Sequence, residues 1–257
     1  RARTKDHREV VVKIKRPGIE HVVQLDIYVL RWIAERADAL FPELRPYRPK
    51  MLADEFAESI RRELDFINEA SVTSRFHDAF REHPHVRTPE VYWELTGANV
   101  LTIELMDGLR LRDVLEGKTV ECDRQAVARH LADCFLDQYF ELGLFHADPH
   151  PGNLLIRPPD GISLIDFGLV GSLDDELVGQ LVFAIIAAVN KEIEVLIDVL
   201  ADMGALGRET DRNVLARDLR QWLDKYYGLP IRRLDLGTIF REFIETVRRN
   251  DVTLTRE

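Results

Sequence analysis

Residues 146–153 read His146-Ala147-Asp148-Pro149-His150-Pro151-Gly152-Asn153, and Leu154-Leu155-Ile156, a short turn and Ile165-Asp166-Phe167-Gly168 follow. An Asp and an Asn share one loop, and a second Asp lies across an apolar hairpin. This spacing can gather a catalytic carboxylate and two magnesium ligands around the phosphates of a nucleotide. Magnesium is a hard ion that takes oxygen at short distance, so carboxylate and amide oxygens are suitable donors. On this reading Asp148 is the general base or phosphate-orienting carboxylate, and Asn153 and Asp166 are the metal ligands. A lone Asp-Phe-Gly is most often an ordinary turn. The two motifs in order, joined by strand, turn and strand, leave coincidence a poor account. His146 reads as a residue that fixes the loop backbone rather than a proton shuttle. His150 stands between Pro149 and Pro151, which set φ and remove two donors, so the loop is stiff.

A second set of groups must face the phosphates. Lys13 sits in Val10-Val11-Val12-Lys13-Ile14, a lysine on an otherwise apolar, β-branched strand. Such a lysine needs a counter-charge or must point to solvent. Beside the downstream loop it is assigned to the α- and β-phosphates. Lys15 faces the same side of the strand and competes for that role, although its place next to the Arg16-Pro17-Gly18 turn favours exposure. The expected partner is a helix carboxylate, and Glu63, Asp65 and Glu69 are all offered within Glu63-Leu64-Asp65-Phe66-Ile67-Asn68-Glu69-Ala70. Glu69 follows Asp65 by one helical turn, on the same face.

The elements that position these groups are readable from periodicity. Glu9 to Lys15 is rich in Val and Ile and reads as a buried strand, ended by Pro17-Gly18. The residues before it look like part of a hairpin. His21 to Leu40 has helical spacing (Val22, Leu25, Ile27, Val29, Leu30, Ile33), and Pro42, Pro46 and Pro49 then break the chain. A second helix is expected from about Met51 to Phe80, with Phe56, Ile60, Leu64, Ile67 and Ala70 on one side. Val86 to Glu104 reads as two strands around Thr96-Gly97-Ala98-Asn99. Asp123 to Leu144 is helical and closed by Gly143. Beyond Asp174 nearly everything reads as helix, at about 174–190, 191–204, 209–226 and 237–249. A β-rich first part and a helical second part suggest an α+β fold of two lobes, residues 1–106 and 107–257. The hinge would fall near Glu104 to Arg110, and Glu104 and Met106 at its start are candidates for cofactor contact.

Composition narrows the class. The chain has 257 residues, enough for a sizeable core, and its 46% hydrophobic and 31% charged residues are those of a globular protein. A net charge of −10 argues against a general nucleic-acid binder. Arg61-Arg62 and Arg232-Arg233 read as solvated surface. The two cysteines, Cys122 and Cys134, lack Cys-x-x-Cys spacing, which points to a reducing compartment. The longest charge-free stretch, Leu177 to Asn190, is too short to span a bilayer and reads as a buried helix. The first residues lack a methionine and an apolar run, so the chain reads as a piece of a longer protein.

Together these residues resemble the UbiB (aarF-domain) family of atypical kinase-like proteins. The resemblance rests on Val12-Lys13-Ile14-Lys15-Arg16-Pro17-Gly18, Glu63-Leu64-Asp65 with Glu69-Ala70, the octapeptide 146–153 and Asp166-Phe167-Gly168. It implies a protein-kinase-like fold, with Lys13 paired to Glu69 and Glu63 with Asp65 forming a Glu-x-Asp motif near the nucleotide. It also implies ATP and Mg2+ as cofactors, ATPase activity more than protein phosphorylation, and support of ubiquinone or other isoprenoid-lipid metabolism. The intact protein is expected on the cytoplasmic side in association with a membrane, with an isoprenoid lipid or the membrane surface as partner. The family's Lys-x-Gly-Gln motif and alanine-rich nucleotide loop would precede Arg1, so weaker nucleotide affinity is expected of this chain than of a longer one.

Three readings of function follow. The leading one is an ATP- and magnesium-dependent ATPase or small-molecule/lipid phosphotransferase. The second is a nucleotide-binding pseudoenzyme acting as a chaperone-like switch for a biosynthetic complex. The third, a standard protein kinase, fits least, because Ala147 stands where an Arg is usual and His150 sits between prolines. Membrane docking would follow if the helix near 26–33 or that near 182–200 exposed an apolar face, although both read more simply as core helices.

Overall fold

The computed structural model describes residues 1–41, 43–44, 48–117, 122–207, 210–228 and 235–252. Pro42, Pro46 and the Arg232-Arg233 pair lie outside the described residues. The chain forms two compact units, Arg1–Ser172 and Leu173–Glu257.

The first unit opens with the expected hairpin. β1 (Ala2–Arg3) pairs antiparallel with β2 (Glu9–Ile14). Val10 is the buried residue of β2, and Ile14 is 70% exposed, so the strand read as buried is covered mainly on one side. α1 (Ile19–Leu40) buries only Ile27 and Ala34. Val22, Leu25, Val29 and Ile33 are each about half exposed, so α1 is not the core helix that its composition suggested. The reason is its neighbourhood. α1 packs along α2 (Pro49–Glu63), whose own buried residues are Ala53 and Ala57, and a helix with one main neighbour closes a single stripe.

The long helix expected from Met51 to Phe80 is broken. α2 ends at Glu63, and α3 (Phe66–Phe80) restarts after Asp65, whose side chain accepts a hydrogen bond from the Asn68 backbone N–H at 3.0 Å. That is an N-cap, which satisfies a helix-terminal donor without Gly or Pro. Phe56 and Ile67, read as facing inward together, are exposed on separate helices. α3 instead buries Phe66, Glu69, Ala70, Thr73, Phe76 and Phe80, one face at helical spacing.

The strand pair expected from Val86 to Glu104 is also altered. β3 (Val86–Arg87) stops two residues before Pro89, which has no N–H to donate, and only an isolated bridge joins Val91 to Ile103. β4 (Val100–Glu104) pairs with β2 along its length, Lys13 opposite Leu101, to give the sheet β1-β2-β4. Phe66 and Ala70 of α3 pack on this sheet through Leu101 and Ile103.

β5 (Leu109–Arg110), α4 (Leu111–Leu115) and α5 (Arg124–Phe140) follow. Gly143, at φ 57, admits the left-handed turn into β6 (Leu144–His146). β7 (Leu154–Arg157) and β8 (Gly161–Leu164) form the apolar hairpin, and β9 (Val170–Ser172) pairs with β6. β8 also takes β3 in parallel, completing the sheet β3-β8-β7-β5. Behind the hairpin lies a core of Phe76, Phe80, Val86, Cys134, Leu154, Ile156, Ile162, Leu164 and Phe167.

The second unit holds the four expected helices: α6 (Asp175–Val189), α7 (Ile193–Asp202), α8 (Arg212–Tyr226) and α9 (Leu236–Arg249). Its core is built on Ile193, Leu196, Leu200, Leu215, Leu219 and Val247. The charge-free stretch predicts a buried α6, but only Ala187 is buried, while Phe183 and Val189 are each 64% exposed. Its small side, Ala184, Ala187 and Ala188, carries the packing. Among the described residues no helix is long and apolar enough to cross a membrane.

Candidate active site

One cavity of about 280 Å³ in the first unit is lined by Lys13, Glu63, Phe66, Glu69, His146, Asp148, Asn153, Asp166, Gly168 and Leu169. Three elements deliver its charges. β2 brings Lys13 on the face that packs against α3, and α3 brings Glu69, a carboxylate on an apolar face and 3% exposed. Lys13 Nζ donates to Glu69 Oε1 at 2.5 Å and to Asp166 Oδ2 at 3.2 Å, partners 56 and 153 residues away in sequence. Burial works against the ammonium, but the two carboxylates outweigh it and hold its pKa above the ordinary value. Burial also lifts the Glu69 carboxyl above its ordinary value, and Lys13 opposes that. The two directions pull apart, and the lysine's decides: two carboxylates on one ammonium keep it charged, so the group is an ion pair.

The third element is the loop with its hairpin. Asn153 Nδ2 donates to the Asp148 carbonyl at 3.2 Å and to Asp148 Oδ2 at 3.3 Å, leaving the Asn153 side-chain oxygen as a donor atom for a cation. Backbone bonds from Ala147 N to Leu169 O and from Ile165 N to Asn153 O tie the loop to Asp-Phe-Gly. Asp166 Oδ1 accepts from Gly168 N at 3.1 Å. Phe167 is 2% exposed, its ring 4.7 Å from that of Phe76 on α3. His146 is a hydrogen-bonding residue of this loop's backbone. It is buried, burial lowers its pKa, and its Nδ1 accepts the Asp148 backbone N–H at 3.1 Å. His150 Nδ1 likewise accepts from Gly152 N at 3.0 Å, where a Cβ on Gly152 would crowd the ring.

The cavity thus collects Lys13, Glu63, Glu69, Asp148, Asn153 and Asp166. Three other assigned residues lie elsewhere. Asp65 caps α3 and lines a separate cavity with Lys15, Glu20 and Arg61. Glu104 accepts from Glu90 N at 3.3 Å and lines a third cavity with His77 and Arg87, and Met106 is half-buried outside the site lining. Lys15 is not the exposed lysine that its turn suggested. Its side chain is 10% exposed, paired with Glu20 at 3.0 Å and set over the Phe66 ring. Gln138 escaped the sequence reading: fully buried on α5, it accepts the His146 backbone N–H at 2.8 Å. A lone Gln among helical residues gives no signal of that role.

A lysine held by a helix carboxylate, an Asp–Asn loop and an Asp-Phe-Gly hairpin thus stand around one cavity. The model of the ABC1 atypical kinase-like domain matches residues 1–200. The chain belongs to that family. An ABC1 relative from Pseudomonas paraeruginosa, "Probable protein kinase UbiB", is 30% identical over 253 residues, covering 96% of this chain and 47% of its own length. "Protein ACTIVITY OF BC1 COMPLEX KINASE 8, chloroplastic" of Arabidopsis thaliana is 31% identical over 230 residues, covering 88% of this chain and 30% of its own. The chain therefore spans at most about half the length of these relatives. Among solved structures, Rv3197 of Mycobacterium tuberculosis in complex with erythromycin superposes at a TM-score of 0.63 with 25% identity, over 97% of this chain and 68% of that one. The fold of this ABC1 domain is α+β and kinase-like.

Proposed function

We propose that the chain is the nucleotide-handling part of an ATP- and Mg2+-dependent enzyme, an ATPase or small-molecule/lipid phosphotransferase that supports ubiquinone or other isoprenoid-lipid metabolism. The observation that carries the reading is the position of Lys13, whose ammonium bridges a buried helix carboxylate and the Asp-Phe-Gly aspartate. In this reading Glu69 aims Lys13 at the phosphates, and Asn153 and Asp166 hold the metal. The donor set fits magnesium, being a carboxylate and an amide oxygen on a backbone fixed by hydrogen bonds. Magnesium supplies neutralisation of phosphate charge when bound. Asp148, exposed at the cavity edge and held by Asn153, orients the nucleophile. Catalysis is then positioning and charge compensation more than covalent chemistry. Glu63, whose Cγ lies against Gly168, is the acid placed to restrain or assist metal binding.

In this reading Asp65, Glu104 and Met106 reach the nucleotide through a rearrangement of the elements that carry them. The lobe boundary at 106/107 belongs to the same proposal. So does docking on the cytoplasmic face of a membrane, which is supported by the apolar face that α1 exposes, with Tyr28 at 69% and Trp32 at 50%.

The test is ATP binding and hydrolysis with magnesium, comparing this chain with Asp166→Asn. Binding in both and hydrolysis lost in the variant supports the enzyme. Binding without hydrolysis in either supports the chaperone-like switch, a reading favoured by the hold that Lys13 has on Asp166. No binding would overturn both.

A further inference from the structure

Outside the cavity, among the described residues, one group of three side chains has the chemistry and spacing to hold a metal ion: His85, His130 and Asp160. They come from three elements of the first unit. His85 precedes β3, His130 lies on α5, and Asp160 ends the turn between β7 and β8. One ligand atom from each lies within 4.8 Å of the others.

The backbone around the group is well fixed. Ile162 N donates to the His85 carbonyl at 2.8 Å, and Asp123 N donates to the Pro159 carbonyl at 2.8 Å. Arg157 Nη2 also binds the His85 carbonyl, at 3.3 Å, so its charge is turned toward the backbone. The rings are pinned too. His130 Nδ1 lies 2.9 Å from the Asp160 carbonyl, which can only accept, so this nitrogen carries the proton. That tautomer leaves Nε2 with a lone pair. A histidine donating one ring N–H to a carbonyl while the other nitrogen stays free is the usual arrangement of a metal-ligating imidazole.

The second ring and the carboxylate complete the set. The His85 and His130 rings stack at 3.8 Å with 15° between their planes. His85 Nδ1 stands 3.4 Å from Asp160 Oδ2. That is long for an N–H···O hydrogen bond. It matches the separation of two ligands on a tetrahedral ion, which at about 2.1 Å each stand about 3.4 Å apart. His83 is near but committed, its Nδ1 accepting from the backbone N–H groups of His85 and Val86. The bland account is two half-buried histidines stacked for packing. It does not account for the Asp160 carboxylate, which approaches the pair with one ligand atom of each residue within 4.8 Å of the others.

We propose that His85, His130 and Asp160 form a site for a divalent transition metal, best matched by zinc, which clamps α5 to the β7–β8 turn. Two imidazoles and one carboxylate suit zinc, and soft sulfur ligands are not needed. The side chains of His85 and Asp160 are 36% and 30% exposed, so an ion has a path in and the fourth position goes to water. A ring nitrogen binds an ion in its own ring plane, so holding one ion tilts the His85 ring out of its stack on His130. The site does not share a residue with the Lys13 cavity, so this inference stands apart from the proposed nucleotide chemistry.

The experiment titrates zinc into the chain in the presence of excess magnesium, with cobalt absorption as the reporter of tetrahedral N/O geometry. One equivalent is expected, weakened about tenfold or more in His130→Asn and in His85→Gln, and changed less than about twofold in Asp166→Asn, whose side chain lies in the other cavity. His130→Asn keeps a donor for the Asp160 carbonyl. Side-chain NMR of the unmutated chain gives a readout independent of any variant's folding, since zinc should move the His85 and His130 nitrogen resonances and leave those of His146 in place. No stoichiometric zinc, or zinc lost in Asp166→Asn and kept in the histidine variants, would overturn the proposal.

Discussion

The cavity has two sides that solve one problem differently. On the β2–α3 side, Lys13 and Glu69 are embedded in packing, with Glu69 on the same helical face as Phe66, Ala70, Thr73 and Phe76. On the loop side, Asp148 is exposed and held by Asn153 and by local backbone bonds. The first side makes a charged group part of the fold, and the second hangs it on a stiff loop outside the core. A mutation on the first side should therefore be felt as stability and function together, and one on the second as function alone.

The largest effect that can break this contrast is Lys13→Met. It leaves Glu69 buried beside Asp166 with no counter-charge, and denaturant unfolding should show a loss of about 3 kcal/mol, the low end for a broken buried pair. Adding Glu69→Leu should recover part of that loss, and a double variant as unstable as the sum would show that the ion pair does not hold the two elements together. Asp65→Ala comes next. Loss of the α3 cap should cost about 1 kcal/mol, and a cost near zero would mean that packing alone starts the helix. Smallest in stability is Asp148→Asn, expected within about 0.5 kcal/mol of the parent, yet hydrolysis should fall, as is expected of Asp166→Asn. An unfolding midpoint moved as far as that of Lys13→Met would erase the difference between the two sides.

What the sequence made legible follows from contact range. The Asp148–Asn153 loop and the β7–β8 hairpin are made by residues close in the chain, and their types and spacing announce them. The Lys13–Glu69 contact spans 56 residues and rested on family resemblance; periodicity alone offered Glu63 and Asp65 equally well. The break between α2 and α3 was hidden because one Asp serves as the cap and no Gly or Pro marks it. Apolar composition overstates the burial of α1 and α6, because it says how much a helix could bury, not how many neighbours it meets. His85, His130 and Asp160 carry no local motif, and only the meeting of three elements brings them together.

The lining of the cavity also has a charge balance. Among the described residues that line it, Lys13 is the one lysine or arginine, facing Glu63, Glu69, Asp148 and Asp166, and burial pushes His146 toward its neutral form. Such a surface repels polyanions. Under the proposed chemistry a bare polyphosphate is turned away at the mouth of the cavity, and the nucleotide gains entry chiefly as its magnesium complex. The ion is then a condition of admission as well as of reaction, and cellular free magnesium becomes a control on occupancy.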